Sequence, residues 1–555
     1  MKEKGLMKKS FLCILLACVL ALVCGLVACG KTDDNSNGGG DGKLDWAVNA
    51  NTAKDDMTVS VHCDVKTGES LSGAKVSLYY GDELVESKDA AEEVTFEAPH
   101  HGMFTVKLEK GEQTLVQAEA KVWASSYRIA YFTATLPVTM FTSTVFSDQS
   151  ENLSFLEGES GLDENGACVV PTYIYLGRQQ TFNWNELPEN MYAIPGAYTD
   201  AWVEYKTAAE FVGELYAMDS TSTFSFHVQD NFSLCLTYLA WYNCIPAEKY
   251  EATIWPDGSG TYTMLNGIEG QTMFEKFQGE VHDLEFDIYN EEDDAARYAL
   301  ANGYVAENSA VYQEKFGENA FNFYNTAWAF ILTCEEDNIN YVVNSVEGVF
   351  NDDSALKALA EEHLTAVALN TMLSVLREDT EGFRAFEFLY QTRWVDEDGT
   401  EHSYNDIFGA SEKPNLLILG TSVAGEAVTD TQPYTFLEYY DYLQKTYGDT
   451  YDIFYKAHPS YPITAFEDGR ADLFEEDGVI DITPAQIPVE LFMFFYDDVY
   501  ICGYFGSSFY SSQKGQTICF FNKESVVAAN ETAAAMMEDG IFDNTVYLGD
   551  VAIKG

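Results

Sequence analysis

Residues 416–422 read Leu-Leu-Ile-Leu-Gly-Thr-Ser, a continuous apolar run that ends in a small, polar loop. A strand buried on both faces shows such a run, because helices cover both sides of a parallel sheet. A helix pattern follows at 434–447 and a second strand pattern at 451–455. A new α/β unit therefore begins near Pro414, and its strand–helix alternation predicts a doubly wound parallel sheet.

The middle of the chain shows the same alternation. Strand patterns lie at 127–132, 224–228 and 250–255, and helical patterns at 232–242 and 291–335. Ala355–Arg377 is nearly free of breaker residues and carries an apolar stripe, which predicts one core helix. The two blocks predict two Rossmann-like domains around a cleft: an N-terminal domain with a helical insertion over 125–412, and a C-terminal domain over 413–555.

Residues 44–124 carry only β signals. Apolar and polar residues alternate at 57–62, 74–79 and 104–108, with turn residues between the runs. Short strands at this spacing are typical of an all-β immunoglobulin-like sandwich. A spacer is the simplest interpretation of this unit, since the sequence shows no signature of a carbohydrate- or protein-binding module. The predicted fold class is therefore α/β, with a β-sandwich preceding two Rossmann-like domains.

The charge of the chain excludes whole classes of partner. Of the 555 residues, 89 are Asp or Glu and 31 are Lys or Arg, which gives a formal net charge of −58. Such a chain repels nucleic-acid phosphates and anionic lipid surfaces. Hydrophobic residues make up 46%, ample for large cores, which excludes a disordered chain. An anionic ligand therefore needs a local site that works against the overall field.

The N-terminus is typical of an export signal. Four lysines accompany an apolar run at 11–27, which is short for a membrane-spanning helix. The run ends Leu26-Val27-Ala28-Cys29, which resembles a bacterial lipobox, and a polar tether completes residues 29–43. We expect a signal peptide over 1–28, lipidation of Cys29, and anchoring to the outer face of the bacterial cell membrane. A plain membrane anchor is the alternative.

Several common chemistries have no motif in the chain. The cysteines beyond the signal number seven, and none forms a C-x-x-C pair, so neither a disulfide scaffold nor a zinc module is indicated. No H-E-x-x-H motif, Walker A loop or G-x-S-x-G elbow with a plausible triad occurs. The acidic runs are typical of solvated faces, so we predict no metal site.

The first candidate motif is Lys456-Ala457-His458-Pro459, directly after a strand pattern. Open α/β sheets bind ligands at the carboxyl ends of their strands. A histidine there can donate to an anionic leaving group and, when protonated, neutralise it. The alternative is an ordinary loop histidine.

The second motif, Gly506-Ser507-Ser508-Phe509, also follows a strand pattern. Serine hydroxyls and free helix amides can hold a phosphate without Lys or Arg, which suits an acidic chain. A Ser-rich helix cap without a ligand is the alternative.

The third motif is Asp257-Gly258-Ser259, after the strand pattern that ends at Trp255. An acidic residue held by a tight turn at a cleft can act as a general base. The alternative is an Asp-Gly hairpin turn, which is frequent in proteins.

The order and setting of these motifs resemble the bacterial sialyltransferases of glycosyltransferase family 80, which have the GT-B fold. The resemblance covers residues 127–140, 224–265 and 414–525. It implies a GT-B-like pair of domains and an inverting transfer of sialic acid from CMP-sialic acid to a hydroxyl of an acceptor glycan. It also implies no metal and no cofactor beyond the CMP-sialic acid donor. Some members carry a lipoprotein signal and an immunoglobulin-like domain.

Catalytic and donor-binding roles follow from the resemblance. Asp257 matches the general base, and His458 matches the histidine that meets the donor phosphate. The remaining candidates for donor binding are Ser259 near the sialic acid, Lys456 and Pro459 beside the histidine, Glu490 at the ribose, Ser507 and Ser508 at the phosphate, and Gly420 and Thr421 after the first C-terminal strand.

Two positions depart from the family pattern on the acceptor side. A tryptophan that packs on the acceptor sugar is Ala424 here, and an acceptor-binding histidine is Phe232. The donor side is better retained, so the resemblance leaves the acceptor open. Two other functions stay open as well: a non-catalytic glycan-binding surface lipoprotein, and a transferase for another CMP-activated nonulosonic acid.

Overall fold

The computed structural model describes residues 45–554, except 178–181, 196–204, 351–352, 497, 507, 510–516, 530–536 and 538–541. Within these residues the chain forms an antiparallel β-sandwich and two parallel sheets covered by helices. The α/β fold class predicted from the sequence is confirmed. No described helix combines the length and the hydropathy needed to cross a bilayer.

The sandwich consists of two antiparallel sheets with the orders β1-β2-β5 and β4-β3-β6-β7. Its strands are β1 (Ala47–Asn51), β2 (Thr58–Asp64), β3 (Ala74–Tyr80), β4 (Glu83–Asp89), β5 (Glu93–Glu97), β6 (Gly102–Lys110) and β7 (Gln113–Val122). Alternate residues such as Val59, Val76 and Val106 point inward and form one core. This alternation is the reason that the sequence reads as β strand throughout.

The sandwich is docked against the first parallel sheet. Glu214 accepts from the Met103 backbone N–H at 2.5 Å and from the Tyr80 hydroxyl at 3.1 Å. The imidazole of His101 hydrogen-bonds the Tyr173 hydroxyl at 2.8 Å, and both residues are buried. These side-chain contacts, in addition to the covalent chain connection, therefore hold the sandwich against the first parallel sheet and its helices.

The first parallel sheet has seven strands in the order β10-β9-β8-β11-β12-β13-β14. They are β8 (Ser126–Phe132), β9 (Thr172–Leu176), β10 (Met191–Ala193), β11 (Thr223–Gln229), β12 (Tyr250–Trp255), β13 (Ile339–Val343) and β14 (Leu364–Ala366). Along β8, Tyr127 and Ile129 enter one core cluster, whereas Ala130 and Phe132 enter another. Both faces are buried, as expected of a parallel sheet.

Eleven helices are described in this part of the chain. They are Thr135–Phe146, Tyr205–Met218, Ser259–Asn266, Gly270–Asn290, Asp294–Val311, Gln313–Phe316, Ala320–Glu335, Ser354–His363, Leu369–Glu378, Thr380–Leu389 and Tyr404–Phe408. A two-stranded antiparallel ladder of β15 (Arg393–Val395) and β16 (Glu401–Ser403) precedes the last of them.

Two helix predictions from the sequence were wrong in detail. The single helix expected over Ala355–Arg377 is interrupted by β14, which pairs with β13. Thr365 and Val367 are β-branched at the interruption, which favours an extended backbone. The stretch 232–242 forms a 3₁₀ turn at Asp230–Phe232 and a π-helical segment at Thr237–Trp241 instead of one helix.

The second parallel sheet has six strands in the order β19-β18-β17-β20-β21-β22. They are β17 (Asn415–Leu419), β18 (Asp452–Lys456), β19 (Ile480–Asp481), β20 (Val499–Gly503), β21 (Ile518–Cys519) and β22 (Val546–Tyr547). Four described helices flank it: Phe436–Tyr447, Arg470–Asp477, Val489–Phe495 and Lys523–Ala529. In chain order its strands run 3-2-1-4-5-6, the order of the doubly wound nucleotide-binding fold.

The two parallel sheets share a hydrophobic core. One buried cluster contains Trp255 and Leu376 from the first unit together with Leu417 and Phe492 from the second. The Tyr496 hydroxyl donates to Glu387 Oε1 at 3.2 Å across this junction. The sheets are therefore packed together as well as joined by the chain.

Candidate active site

Strand order identifies one place on each parallel sheet where a ligand is expected to bind. In both sheets the chain starts in the middle, builds outward on one side and then crosses to the other. The order reverses between β8 and β11 in the first sheet and between β17 and β20 in the second. Ligands of open α/β sheets bind at the carboxyl ends of strands at such reversals.

Asp257 lies in the turn that follows β12, beside the reversal of the first sheet. Gly258 has φ +139°, a backbone conformation that favours glycine, and the helix Ser259–Asn266 begins directly after it. Asp257 is half-buried, and its Oδ2 lies next to Gly260 in the first turn of this helix. The turn connects a strand to a helix, so the alternative interpretation as a hairpin was wrong. Ser259 is the first residue of the helix.

A second carboxylate, Asp230, holds the Asp257 turn in place. It follows β11 directly and has no exposed surface. Its Oδ1 accepts from the Asp257 backbone N–H at 3.0 Å, and its Oδ2 accepts from the Thr261 hydroxyl at 2.5 Å and the Tyr341 hydroxyl at 2.7 Å. Burial, and then the Asp257 carboxylate, raise the pKa of Asp230 to about 7. Sequence reasoning missed this residue, whose only local signal is a polar position at a strand's end.

His458 lies in the loop after β18, followed by the half-buried Pro459. Its Nδ1 accepts from the Ser460 backbone N–H at 3.1 Å, which places the proton of a neutral imidazole on Nε2. Burial, and then the charge of Lys456, lower the pKa of His458. Without a bound anion, the ring is therefore a neutral Nε2–H donor. Its face lies against Tyr461, with ring centroids 5.3 Å apart.

Gly420 allows the loops after β17 and β18 to approach each other. A Cβ at this position would lie 2.5 Å from the Tyr455 hydroxyl and 3.1 Å from the His458 backbone nitrogen. The Gly420 N–H also donates to the Lys456 carbonyl at 2.9 Å. The absence of a Cβ at Gly420 therefore allows the His458 backbone to lie close to the loop that follows β17.

Thr421 continues this loop and is half-buried. Its backbone hydrogen-bonds Glu426, which forms a 2.6 Å ion pair with the fully buried Arg470. The guanidinium of Arg470 lies between the rings of Phe436 and Phe466, 3.9 and 3.6 Å from their centroids. The loop that begins at Gly420 is therefore held at its start by the hydrogen bond to Lys456 and at its end by the ion pair between Glu426 and Arg470.

Lys456 is the last residue of β18 and is buried. Its Nζ donates to the carbonyls of Ala485 at 2.8 Å and Ala457 at 3.1 Å. Burial lowers the pKa of Lys456 to about 8, although Glu490 and Asp481 oppose the shift. The ammonium therefore lies beside His458 as a buried positive charge. Its contacts in this structure are to backbone carbonyls.

Two carboxylates surround Lys456. Burial raises the pKa of the half-buried Glu490, while the Ser508 hydroxyl hydrogen-bonds its carboxylate and the charge of Lys456 opposes the shift. Burial also raises the pKa of Asp481 to about 6. The Oδ1 of Asp481 is buried and has no hydrogen-bond partner among the described residues. Sequence analysis missed Asp481, because β19 is only two residues long and shows no strand pattern.

The structure therefore gathers the sequence candidates into two groups. Asp257 and Ser259 lie with Asp230 on the first sheet, and the second group is built around Lys456 on the second sheet. The members of the second group are Gly420, Thr421, Lys456, His458, Pro459, Asp481, Glu490 and Ser508. Ser507 and Cys29 lie outside the described residues.

The two acceptor-side departures occupy different environments. Phe232 is buried and packs against Phe321, with ring centroids 5.8 Å apart, so it belongs to the core. Ala424 is exposed in a 3₁₀ turn of the loop after β17. Within the described residues, no group of His, Cys, Asp and Glu is arranged to hold a metal ion, and the seven cysteines are free thiols.

Comparison with known proteins gives structural matches only. No protein-family model matches the chain, and no curated protein matches it. A 2,6-sialyltransferase from a Photobacterium strain, solved with CMP and lactose, is 13% identical with a TM-score of 0.46 over 90% of this chain and 95% of that chain. An α/β-galactoside α-2,3-sialyltransferase from Photobacterium phosphoreum is 13% identical with a TM-score of 0.46, over 77% and 99%. A sialyltransferase from Photobacterium damsela is 14% identical with a TM-score of 0.44, over 89% and 97%.

Proposed function

We propose that the protein is an inverting glycosyltransferase that moves sialic acid from CMP-sialic acid to a hydroxyl of an acceptor glycan. One observation carries the proposal: two parallel sheets with the same kind of strand order present different chemistry at their reversals. Asp230 and Asp257 stand at the first, whereas a buried lysine, a histidine and a serine stand with the carboxylates of Asp481 and Glu490 at the second. The proposal requires these two groups to face each other across one cleft.

On the donor side, the proposal seats CMP at the second reversal. Negative charge grows on the phosphate as its bond to the sugar breaks. The proposal assigns the stabilisation of that charge to the Nε2–H of His458, the Ser508 hydroxyl, the charge of Lys456 and, as the resemblance implies, Ser507. Glu490 offers an acceptor to the ribose hydroxyls. Since the leaving group is a monophosphate held by protein donors, the proposed reaction needs no metal.

On the acceptor side, Asp257 takes the proton of the attacking hydroxyl. The acceptor oxygen forms a bond to the anomeric carbon from the face opposite CMP, and the electron pair of the broken bond leaves with the phosphate. The anomeric configuration is inverted. General-base catalysis of this kind contributes about 10²–10⁴ in rate.

The test combines binding and turnover on the purified full-length chain. Calorimetry measures CMP affinity, and product analysis measures transfer from CMP-sialic acid to lactose, the acceptor sugar in one solved neighbour. We expect CMP binding and transfer by the wild type, and CMP binding without transfer by Asp257→Asn. CMP binding without any transfer or hydrolysis indicates a glycan-binding protein on a transferase fold. Preference for another CMP-nonulosonic acid in competition changes the donor but not the reaction class.

We also propose that the protein is exported and lipidated at Cys29. The positive start, the apolar run and the lipobox-like Leu26-Val27-Ala28-Cys29 support this. Cys29→Ser is expected to block lipid labelling and to leave the precursor uncleaved. Equal incorporation of labelled fatty acid into both proteins would contradict the proposal.

A further inference from the structure

Asp230 occupies the reversal of the first sheet but cannot reach an acceptor. It follows β11 directly, at the carboxyl end of the sheet, and none of its surface is exposed. Neighbouring Gln229 connects the ends of β11 and β8, because its Oε1 accepts from the backbone N–H groups of Thr133 and Ala134 at 2.6 and 3.1 Å. Any effect of Asp230 on the reaction therefore passes through the residues that it contacts.

The two oxygens of Asp230 have different kinds of partner. Oδ1 accepts from two backbone N–H groups, those of Asn231 at 2.6 Å and Asp257 at 3.0 Å. Such groups can only donate. Oδ2 lies next to the hydroxyls of Thr261 and Tyr341, which rotate and can either donate or accept. A proton on Asp230 therefore resides on Oδ2, and Oδ1 keeps hold of the Asp257 backbone in either protonation state.

The surroundings of Asp230 favour the protonated form. Its ionisable neighbours are Asp257 in the turn after β12, Tyr341 on β13 and Tyr262 on the helix Ser259–Asn266. None of these described neighbours is a cation. Two carboxylates close together in a buried setting cannot both ionise cheaply, so the fully buried one retains a proton.

We propose that Asp230 is the positioning residue of the catalytic carboxylate: it stays protonated on Oδ2, fixes the Asp257 backbone through Oδ1, and leaves Asp257 as the single charged member of the pair. This inference rests on the proposed function, in which Asp257 is the base. Asp230 keeps its own proton throughout. The acceptor's proton goes to Asp257, which stays ionised until then because its neighbour is neutral.

Two substitutions separate the protonation state of Asp230 from its hydrogen bonds. Asparagine presents Oδ1 to the two N–H groups and Nδ2 to hydroxyls that can accept, so it imitates the protonated acid. We expect Asp230→Asn to lower kcat by no more than about threefold. Alanine releases the turn, and a misplacement of about 1 Å costs about 10²-fold in kcat. CMP affinity by calorimetry is expected to stay at the wild-type value in both, because the donor lies on the other sheet.

The control for a lost carboxylate is Asp353→Ala. Asp353 caps the helix Ser354–His363 through the N–H groups of Ala355 and Leu356 and has no part in the proposed reaction. We expect it to change stability and not kcat. Wild-type kcat in Asp230→Ala would overturn the positioning role. A loss in Asp230→Asn as large as in Asp230→Ala would overturn the protonated state.

An infrared measurement tests the proton without any turnover. At about pH 6, the wild-type minus Asp230→Asn difference spectrum is expected to show the carbonyl band of a protonated carboxylic acid. A carboxylate band in its place would overturn the inference. Absence of turnover by the wild type overturns the proposed function and, with it, the catalytic role of Asp230, whereas the infrared band still decides its protonation.

Discussion

The two parallel sheets differ in chemistry far more than in topology. Both reverse strand order next to their first strand, and both place polar residues at the carboxyl ends beside the reversal. At the first, the Asp230 carboxylate accepts from two hydroxyls and from the Asp257 backbone N–H. At the second, Lys456 and His458 stand beside Gly420. Shared topology therefore predicts where a ligand binds on each sheet, and the proposal assigns a different part of the reaction to the side chains of each half.

The second group also suggests a way for an acidic chain to accommodate the proposed anionic donor. The formal net charge of −58 opposes phosphate binding everywhere on the surface. Lys456 is buried, so its charge is screened less by solvent and acts more strongly nearby. Neutral donors, such as the Nε2–H of His458, add to this without introducing further charge. A local site of this kind can overcome the overall field.

The largest expected effect comes from the acceptor side. Asp257→Asn removes the base and is expected to lower kcat by about 10²–10⁴. CMP affinity is expected to remain unchanged, because the contacts proposed for CMP lie on the other sheet. Steady-state kinetics and calorimetry on the same preparation check both statements. A tenfold loss of CMP affinity would show that the two halves are not functionally separate.

The corresponding change on the donor side is His458→Ala. Loss of a hydrogen bond to a charged phosphate is worth about 1.5–3 kcal/mol, so CMP affinity is expected to fall by about 10- to 100-fold. Because the neutral ring already carries its proton on Nε2, binding is expected to persist at pH values where free histidine is neutral. Wild-type CMP affinity in the variant would remove His458 from the donor site.

A smaller effect is expected from Gly420→Ala, which tests the close approach of two loops. The added Cβ meets the Tyr455 hydroxyl and the His458 backbone, so one loop must move. Overpacking of this kind costs about 1–3 kcal/mol of unfolding free energy, and CMP binding should weaken as His458 shifts. Gly279→Ala adds the same Cβ where nothing lies within 4 Å, and we expect it to raise the unfolding free energy by about 0.5–1 kcal/mol because Gly279 lies within the helix Gly270–Asn290. Equal unfolding midpoints and CMP affinities in the two variants would contradict this role of Gly420.

The last prediction concerns the pH dependence of stability at Lys456. Its pKa is lowered to about 8 in the fold, below the value of about 10.4 for an exposed lysine. The unfolded chain therefore binds more protons between these values, and this group makes the fold more stable as pH rises from about 8 to about 10. Urea midpoints are expected to rise less over this window in Lys456→Met than in the wild type. Parallel curves for the two proteins would contradict a buried, charged lysine.

Local patterns in the sequence predicted the parallel strands and the loops that follow them. The run before Gly420 is apolar because both faces of β17 are covered, and His458 follows a strand of the same kind. Contacts between distant segments were not predictable. The role of Asp230 depends on partners from other segments; the Tyr341 hydroxyl, for example, hydrogen-bonds its carboxylate from more than a hundred residues away. The break at β14 likewise depends on pairing with β13, which outweighs the helical periodicity of the flanking residues.

The central claim is that the two groups of residues serve one ligand. A crystal structure of the protein with CMP and lactose tests it most directly. The account predicts the phosphate within hydrogen-bonding distance of His458 Nε2 and Ser508, with the Asp257 carboxylate facing the acceptor hydroxyl across the same cleft. CMP bound away from His458, or an Asp257 side chain that faces bulk solvent on another side of the molecule, would contradict it.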